Sequence, residues 1–529
     1  MNIKLLLSGA LLLATTMFTT VACSNDDERI DLSGLQSPVE GYVRDNTGMP
    51  MAGIAVSDGY TTVVTDAKGY YKIPSRCVYS YWVYYSIPAD VRIEIEDGRP
   101  CFYKKLELDQ IRYDFTLTRQ PVEERFRILA IGDPQVRASN NGLERFAAET
   151  ATDIREFVAS KQEDMPTYAI TMGDHVHNEW TSFKQIFELL RIESLSIPCF
   201  SVMGNHDHEF RSTSAPINDL RGQRLYEAVA GPVNYSFERG NCHCIVLDDI
   251  IHQGQTESSC TEALSETVEK WMQDDLARVD RNKTVLLFAH GMLTEAITPE
   301  LFALLGEFAE SRFIAGHSHS VKNDILTVNG KEIYTHIVGS ANGVDWRGTV
   351  CGDGAPMGYS VFEIENGHVA NHLYKAVRYP ADFQIRMYRS IDFPTFSYSV
   401  QNAAARSYSF KGNTDRAYVC LNIWNKTPKW NFEIYEDDQL KSRTLTKENL
   451  YDCWSTYWFF KVRGCNTHSY DQRCDHMYWY RMDNPDATLR VVARDEYGNT
   501  FYQTEFTGST EEYYPDVYRD WECGHGGRR

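Results

Sequence analysis

Five short apolar segments in the middle of the chain each run directly into side chains that can bind metal. The segments cover residues 126–131, 168–172, 199–203, 284–289 and 313–315. Continuous apolar runs of this length are typical of strands buried on both faces, as in parallel sheets. Because ligands collect beyond the carboxyl ends of such strands, the pattern predicts a layered α/β domain with one metal-binding crevice.

The five strand ends carry carboxylates, amides and imidazoles. In chain order they read Gly132-Asp133-Pro134-Gln135, Gly173-Asp174-His175-Val176-His177, Gly204-Asn205-His206-Asp207, His290-Gly291 and Gly316-His317-Ser318-His319. A mixture of hard oxygen ligands and imidazole nitrogens suits Mn, Fe or Zn better than a calcium cage. We expect each glycine to let the backbone turn sharply and to bring the next side chain close to the ions. Apolar residues within 143–158 and 183–190 repeat at helical spacing and predict helices between the strands.

The chain is long and acidic. Its 529 residues predict about two to four domains. Asp and Glu number 73 against 53 Lys and Arg, which gives a net charge of −20. Because this charge repels polyphosphate backbones, we expect no nucleic-acid partner. Thirteen cysteines are present, and their spacing leaves any disulfide pairing open.

The amino terminus predicts export. Residues 1–23 combine Lys4 with an apolar stretch and small residues before Cys23, as in a secretory signal peptide. The sequence Thr20-Val21-Ala22-Cys23 resembles a bacterial lipoprotein cleavage box, and the acidic residues after it resemble the tether of Bacteroidetes outer-membrane lipoproteins. This resemblance implies a lipid anchor on Cys23, a tether over 24–37 and a periplasmic or cell-surface location. A plain secreted protein is the alternative.

Two β-rich regions flank the α/β segment. Residues 38–119 alternate β-forming residues with Gly and Asp-Gly turns, which predicts a small β-sandwich. Thr65-Asp66-x-x-Gly69-x-Tyr71 and the turns before it resemble the carboxypeptidase regulatory-like β-domain. Residues 380–529 predict a second β-rich domain, which contains six of the ten tryptophans: Trp424, Trp430, Trp454, Trp458, Trp479 and Trp521. We expect these rings to fill a core, although exposed rings could stack on sugars.

The order of the strand-end motifs resembles that of the calcineurin-like metallophosphoesterases. The resemblance covers roughly residues 122–378, within a domain predicted at 120–379, and Gly-Asn-His-Asp followed by Gly-His-x-His carries most of it. It implies a four-layer α/β/β/α sandwich with two divalent metal ions. It also implies that the flanking domains are β-sandwiches like those of similar bacterial lipoproteins.

The resemblance also implies roles for the strand-end residues. Asp174 would bridge the two ions, Asp133 and His319 would complete one site, and Asn205, His290 and His317 would complete the other. Gln135 stands where most members have a histidine. It would either ligate weakly through its amide oxygen or form a hydrogen bond beside the metal.

His206 and Asp207 are the predicted catalytic residues. We expect His206 to reach the leaving-group oxygen and Asp207 to orient its imidazole. Two weaker candidates for substrate contact are His175 and Arg347, the latter in a glycine-rich stretch over 339–358.

These features predict an exported dinuclear metal-dependent phosphoesterase. A shared water with a lowered pKa would attack as hydroxide in line with phosphorus, and monoesters and diesters both remain open as substrates. The substrate would be a small or extracellular phosphorylated compound. The alternative is a surface-displayed lipoprotein that binds a glycan or a partner and has a weak or inactive phosphoesterase site.

Overall fold

A computed structural model describes residues 37–508, except for 78, 139–140, 162–164, 212–218, 292–297, 344–347, 399–405, 463–472 and 475. The predicted signal peptide, Cys23, nearly all of the tether and Arg347 lie outside the described residues. Across the described part of the chain, no helix has the length and apolar character needed to cross a membrane.

The N-terminal region is a β-sandwich. Its strands are β1 (Val39–Asp45), β2 (Ala55–Ser57), β3 (Thr62–Val64), β4 (Tyr70–Ile73), β5 (Trp82–Tyr85), β6 (Ile95–Glu96), β7 (Arg99–Pro100), β8 (Tyr103–Lys105) and β9 (Phe115–Leu117). One sheet has the order β4-β1-β9 and the other β3-β2-β5-β8, and β6 and β7 form a separate ribbon. Val39, Val83 and Tyr84 are buried in a core that continues into the central domain through residues such as Phe237.

The central domain contains two larger sheets. Its strands are β10 (Arg125–Ile131), β11 (Thr167–Thr171), β12 (Cys199–Ser201), β13 (Tyr235–Arg239), β14 (Cys242–Val246), β15 (Ile250–His252), β16 (Cys260–Glu262), β17 (Thr284–Phe288), β18 (Glu310–Ala315), β19 (Lys322–Val328), β20 (Lys331–Ile337), β21 (Gly358–Glu365) and β22 (His368–Ala376). The orders are β12-β11-β10-β21-β22 and β13-β14-β17-β18-β20-β19, while β15 and β16 form a ribbon.

Parallel pairing brings the predicted strand ends to common edges. In the first sheet β10, β11 and β12 are parallel, and in the second β14, β17 and β18 are parallel. All five predicted apolar strands are present, and their carboxyl ends therefore lie on two neighbouring sheet edges.

Helices cover the outer faces of both sheets. They are α1 (Gly142–Ala148), α2 (Thr150–Ser160), α3 (Phe183–Leu189), α4 (Ile192–Leu195), α5 (Asp219–Gly222), α6 (Arg224–Ala230), α7 (Glu266–Leu276) and α8 (Pro299–Leu305). The predicted helix over 143–158 is interrupted at Glu149, between α1 and α2.

Alternation along the strands distributes side chains among three cores, one between the two sheets and one under each layer of helices. On β10, Ile128 shares a core with Leu286 of the second sheet, whereas Leu129 packs with Ile154 of α2. Leu287, the neighbour of Leu286 on β17, packs on the opposite face of the second sheet, with residues of α7 and α8. Because neighbouring strand residues point to opposite faces, this arrangement places the two sheets face to face between layers of helices. The predicted four-layer α/β/β/α sandwich is confirmed.

The C-terminal region is mainly β-structure, as predicted. Its elements are β23 (Arg386–Arg389), β24 (Phe396–Tyr398), β25 (Arg406–Tyr408), β26 (Tyr418–Asn422), β27 (Asn431–Glu436), β28 (Gln439–Ser442), β29 (Thr446–Lys447), β30 (Leu450–Tyr451), α9 (Cys453–Tyr457), β31 (Arg473–Cys474), β32 (Met477–Arg481), β33 (Leu489–Arg494) and β34 (Thr500–Gln503). The two four-stranded sheets have the orders β23-β26-β32-β29 and β28-β27-β33-β34. Four of the six tryptophans named above are buried: Trp424, Trp430, Trp454 and Trp458.

The domain limits at 119/120 and 379/380 stay predictions. In the structure they fall shortly after β9 and shortly after β22, respectively. Both positions lie between elements, so neither limit divides a strand or a helix of the described residues.

A cavity of about 270 Å³ lies between the N-terminal sandwich and the central domain. Tyr60, Tyr81 and Trp82 line one side, and Glu227 and Asp248 line the other. None of the predicted metal ligands lines this cavity. It is therefore separate from the strand-end site.

Candidate functional site

The predicted ligands lie directly after parallel strands. Asp133 follows β10, Asp174 follows β11 and Asn205 follows β12 in the first sheet; His290 follows β17, and His317 and His319 follow β18 in the second. Since the sheets pack face to face, these six side chains meet across the gap between their edges.

One group of side chains surrounds His290 Nε2. Asn205 Oδ1 lies 2.9 Å from this nitrogen, His317 Nδ1 lies 3.0 Å away and Asp174 Oδ2 lies 3.3 Å away. His290 Nδ1 lies 2.6 Å from the carbonyl oxygen of Met172. A carbonyl only accepts, so Nδ1 donates there and Nε2 faces the other three groups.

A second group shares Asp174. Asp133, Asp174 and His319 offer ligand atoms that lie within 4.8 Å of one another, as do Asp174, His290 and His317. His319 Nε2 is 3.5 Å from Asp133 Oδ1. Asp174 thus belongs to both groups, which is the position predicted for a bridging carboxylate.

The charge and burial of these groups fit divalent cations. Asp133, Asp174 and His290 are at most 1% exposed. Burial would raise the pKa of Asp174, but His290 and His206 outweigh burial and hold this pKa well below its usual value. Burial would lower the pKa of His290, and the Asp174 carboxylate instead raises it well above its usual value. A buried carboxylate that draws this strongly on neighbouring positive charge, next to imidazoles, belongs to a donor set suited to Mn, Fe or Zn.

Gln135 lies beside the shared carboxylate. Gln135 is 3% exposed, and its amide Nε2 donates a hydrogen bond to Asp174 Oδ2 over 2.9 Å. Of the two roles predicted for Gln135, this geometry matches the hydrogen bond beside the metal. Such a bond would orient the carboxylate that both groups share.

Left-handed backbone conformations are concentrated at the site. Asp133, Gln135, Asp174, His317 and His319 have φ angles of 39°, 41°, 50°, 66° and 52°, respectively. For each non-glycine residue, the left-handed conformation costs on the order of 1 kcal/mol or more of folding free energy. The surrounding structure therefore holds these five side chains in directions that the backbone alone disfavours.

The strand-end glycines act in two different ways. Gly173 has a φ of 88° and makes the sharp turn that we expected. Gly204 has an ordinary φ of −116°, but a Cβ there would lie 2.3 Å from the backbone nitrogen and Oδ1 of Asp174. Gly204 therefore lets the backbone and side chain of Asp174 come close, and it makes no left-handed turn.

The prediction that Asp207 orients His206 is wrong. His206 Nδ1 instead lies 2.9 Å from Asn178 Oδ1. Asp207 is fully buried and accepts hydrogen bonds from the backbone N–H groups of His175 and Gly204. His206 and Asp207 are neighbours in the 3₁₀ turn Asn205–Asp207, where successive side chains point about 120° apart. Because the two residues are adjacent in this turn, their side chains point in different directions and do not contact each other through a hydrogen bond.

The prediction that His175 contacts substrate is also wrong. His175 is 0% exposed, and its ring nitrogens lie 2.9 Å from Asp207 Oδ2 and 2.7 Å from Thr171 Oγ1. Its ring also stacks on Phe187 at a centroid distance of 4.7 Å. His175 is therefore part of the packing beneath the site.

We expect Asp207→Asn to destabilise the protein and to leave the pH profile of hydrolysis unchanged. The Asn amide would turn its N–H group toward the backbone N–H groups of His175 and Gly204, from which Asp207 now accepts hydrogen bonds. This mismatch costs on the order of 3 kcal/mol at a buried site. Thermal unfolding should show a Tm several degrees lower than for the wild type. The exposed Asp109→Asn is the matched control, and an unchanged Tm for Asp207→Asn would contradict the assignment.

Two residues at the site were missed from the sequence. Asp249 accepts hydrogen bonds at Oδ1 from the backbone N–H groups of His290 and Gly291, and burial raises the pKa of its carboxyl. It follows the parallel strand β14, so the strand-end rule could have found it. Asn178 orients His206, and no motif marks it.

Family comparison matches most of the described chain. Residues 126–321 match the calcineurin-like phosphoesterase model, residues 37–120 match the N terminal of calcineurin-like phosphoesterase, and residues 335–501 match the C terminal of calcineurin-like phosphoesterase. The chain belongs to the calcineurin-like phosphoesterases. These are metal-dependent hydrolases of phosphoric esters. The predicted family is confirmed.

Solved structures of phosphoesterases resemble this calcineurin-like phosphoesterase only distantly. A purple acid phosphatase from yellow lupin (Lupinus luteus) seeds is 14% identical, with a TM-score of 0.32 over 48% of this chain and 51% of its own. The 5′-nucleotidase from Candida albicans is 13% identical, with a TM-score of 0.29 over 45% and 48%. The phosphopantetheinyl hydrolase from Mycobacterium tuberculosis is 11% identical, with a TM-score of 0.24 over 41% and 91%. The chain thus spans about half the length of the first and second of these proteins. No curated protein matches the sequence.

Proposed function

We propose that this calcineurin-like phosphoesterase hydrolyses a phosphate monoester or diester with two divalent metal ions. The observation that carries the proposal is the convergence of two donor groups on one shared carboxylate, Asp174. Asp133 and His319 belong to one group, and His290 and His317 belong to the other. Asn205, 2.9 Å from His290 Nε2, joins the second group. Mn, Fe or Zn fits this mixture of oxygen and imidazole donors.

The ions would supply charge and a nucleophile. When bound, they neutralise developing charge on the phosphoryl oxygens and lower the pKa of the water that attacks phosphorus. The shared carboxylate of Asp174 is held from two sides, since Oδ1 accepts from the backbone N–H of His206 and Oδ2 accepts from Gln135. This chain therefore presents a preorganised carboxylate to the reaction and needs no rearrangement to form it.

His206 is placed to act on the leaving group. Its Nε2 lies 3.9 Å from Asp174 Oδ2, at the edge of the shared site, while Asn178 holds Nδ1. The side chain is 10% exposed, so it has contact with the solvent side of the site. A proton carried on Nε2 can pass to the oxygen that leaves phosphorus, as in general acid catalysis.

A reconstitution experiment tests the proposed activity. Protein lacking residues 1–23 and stripped of metal should hydrolyse neither p-nitrophenyl phosphate nor its bis-ester, and added Mn²⁺ should restore hydrolysis of at least one. His317→Ala should lower the restored rate by about a hundredfold or more, because it removes an imidazole from one donor group. The exposed His368→Asn, outside the site, is the control. Full activity in His317→Ala would refute the assignment.

We also propose that the enzyme is exported and anchored by lipid on Cys23, facing the periplasm or the cell surface. The sequence of residues 1–23 supports this location, and a small or extracellular phosphate compound is then the expected substrate. Metabolic labelling with a fatty acid should mark the wild type and not Cys23→Ala. Equal labelling of the two proteins would contradict the anchor.

The buried tryptophans of the C-terminal region do not favour the alternative of a glycan-binding protein.

A further inference from the structure

Three side chains beside the shared site form a separate group of metal-binding type. His177, His206 and Glu257 offer ligand atoms that lie within 4.8 Å of one another. They come from three loops, which follow β11, follow β12 and join β15 to β16. The rings of His177 and His206 stack at a centroid distance of 4.4 Å, and His206 Nε2 is 3.7 Å from Glu257 Oε1. None of the three belongs to the two groups that contain Asp174.

Asn178 orients two members of this group. Its Nδ2 donates to Glu257 Oε2 over 3.0 Å, and since a carboxylate only accepts, Oδ1 must be the atom that faces His206 Nδ1. Nδ1 therefore carries a proton, and in the neutral ring Nε2, which lies 3.7 Å from Glu257 Oε1, keeps a lone pair free for a metal ion. A histidine whose other ring nitrogen donates to an oxygen is the usual arrangement of a metal ligand in proteins.

The ligand types favour zinc. Two imidazoles with one carboxylate form the three-ligand set of many open zinc sites, whereas Mg²⁺ and Mn²⁺ bind imidazole less strongly. The Glu257 side chain is 54% exposed, so an ion can enter from solvent. His206 Nε2 also lies 3.9 Å from Asp174 Oδ2. An ion at Nε2 would therefore feel repulsion from ions held by Asp174 and would bind more weakly than they do.

We propose that His177, His206 and Glu257 form a third, weaker divalent-cation site that takes Zn²⁺, and that filling it inhibits the enzyme. The inhibition rests on the proposed function, because it depends on the leaving-group role of His206. A zinc ion on Nε2 occupies the lone pair that would carry the transferred proton. The rate of hydrolysis should fall most for esters with poor leaving groups, since general acid catalysis contributes roughly 10²-fold or more to their hydrolysis.

A zinc titration of the protein lacking residues 1–23 tests this site. The stripped protein is dialysed against rising free Zn²⁺, bound zinc is counted by mass spectrometry, and hydrolysis of phenyl phosphate and p-nitrophenyl phosphate is measured at each concentration. The wild type should bind two ions first and one more at higher concentration. Over the range of the third, phenyl phosphate hydrolysis should fall by at least about tenfold, and p-nitrophenyl phosphate hydrolysis should fall less.

Glu257→Gln and His177→Gln should lose the weaker ion, and their inhibition by zinc should disappear when each rate is compared with that variant's own rate at two bound ions. Glu300→Gln, an exposed residue on α8, is the matched control and should behave like the wild type. If the wild type binds two ions and is active but never gains the third, or if Glu257→Gln gains it with wild-type affinity, the inference is overturned and the proposed function stands. A protein that binds fewer than two ions, or that hydrolyses neither these monoesters nor bis(p-nitrophenyl) phosphate, overturns both.

Discussion

Replacing Asp174 by Asn should lower metal-dependent hydrolysis of p-nitrophenyl phosphate by at least about a thousandfold. Asp174 is the carboxylate shared by both donor groups and is 1% exposed. An amide cannot offer two anionic oxygens, so both ions would bind weakly. A loss of about 4 kcal/mol of transition-state stabilisation corresponds to this factor, and metal ions supply several kcal/mol in such reactions.

The measurement pairs the hydrolysis rate with bound metal per chain after dialysis. Asp174→Asn should hold fewer than two ions, while its circular dichroism should match that of the wild type because the amide keeps the shape of the carboxylate and its oxygen can still accept from one of the two present donors, the backbone N–H of His206. The control is Asp438→Asn, a carboxylate that is 91% exposed. Wild-type activity in Asp174→Asn would contradict the shared site itself.

The second large effect is expected for His206→Ala, and its size should depend on the leaving group. Phenyl phosphate hydrolysis should fall by roughly 10² to 10⁴, since this is the usual contribution of a positioned general acid. The hydrolysis of p-nitrophenyl phosphate should fall much less, because its leaving group needs little help from a proton. Bound metal should stay at two ions, since His206 belongs to neither group that contains Asp174.

Asn178→Ala separates orientation from catalysis. Without the Asn178 Oδ1 acceptor, His206 keeps its imidazole but loses the partner that directs Nε2. Hydrolysis of phenyl phosphate should therefore fall by less than in His206→Ala, by about tenfold. Equal losses for phenyl and p-nitrophenyl phosphate in His206→Ala would show that His206 does not protonate the leaving group.

The predicted ligand positions followed from a local rule that the fold obeys. The buried parallel strands β10, β11, β12, β17 and β18 were each visible as a short apolar run. The residue that follows a buried parallel strand lies at the sheet edge whatever the rest of the chain does. The same rule applied to β14 would have pointed to Asp249, which holds the backbone of His290.

Side-chain partners did not follow from any local rule. Asp207 is adjacent to His206 yet bonds with His175, and Asn178, 28 residues away, takes the position expected for Asp207. The roles of His175 and Asp207 were mispredicted because the direction of each side chain in the turn after β12 depends on what packs against it. Positive φ angles at Asp133, Asp174 and His319 likewise need the surrounding structure to hold them.

The sequence by itself determined the layered architecture, the order of the strands that carry ligands and the chemical types of those ligands, because apolar periodicity and strand ends are local properties of the chain. Only the tertiary structure decided which oxygen orients His206, that Gln135 donates to Asp174, and that His177 and Glu257 meet His206. These contacts join loops from separate strands. Their distances depend on how the two sheets pack, which no single segment specifies.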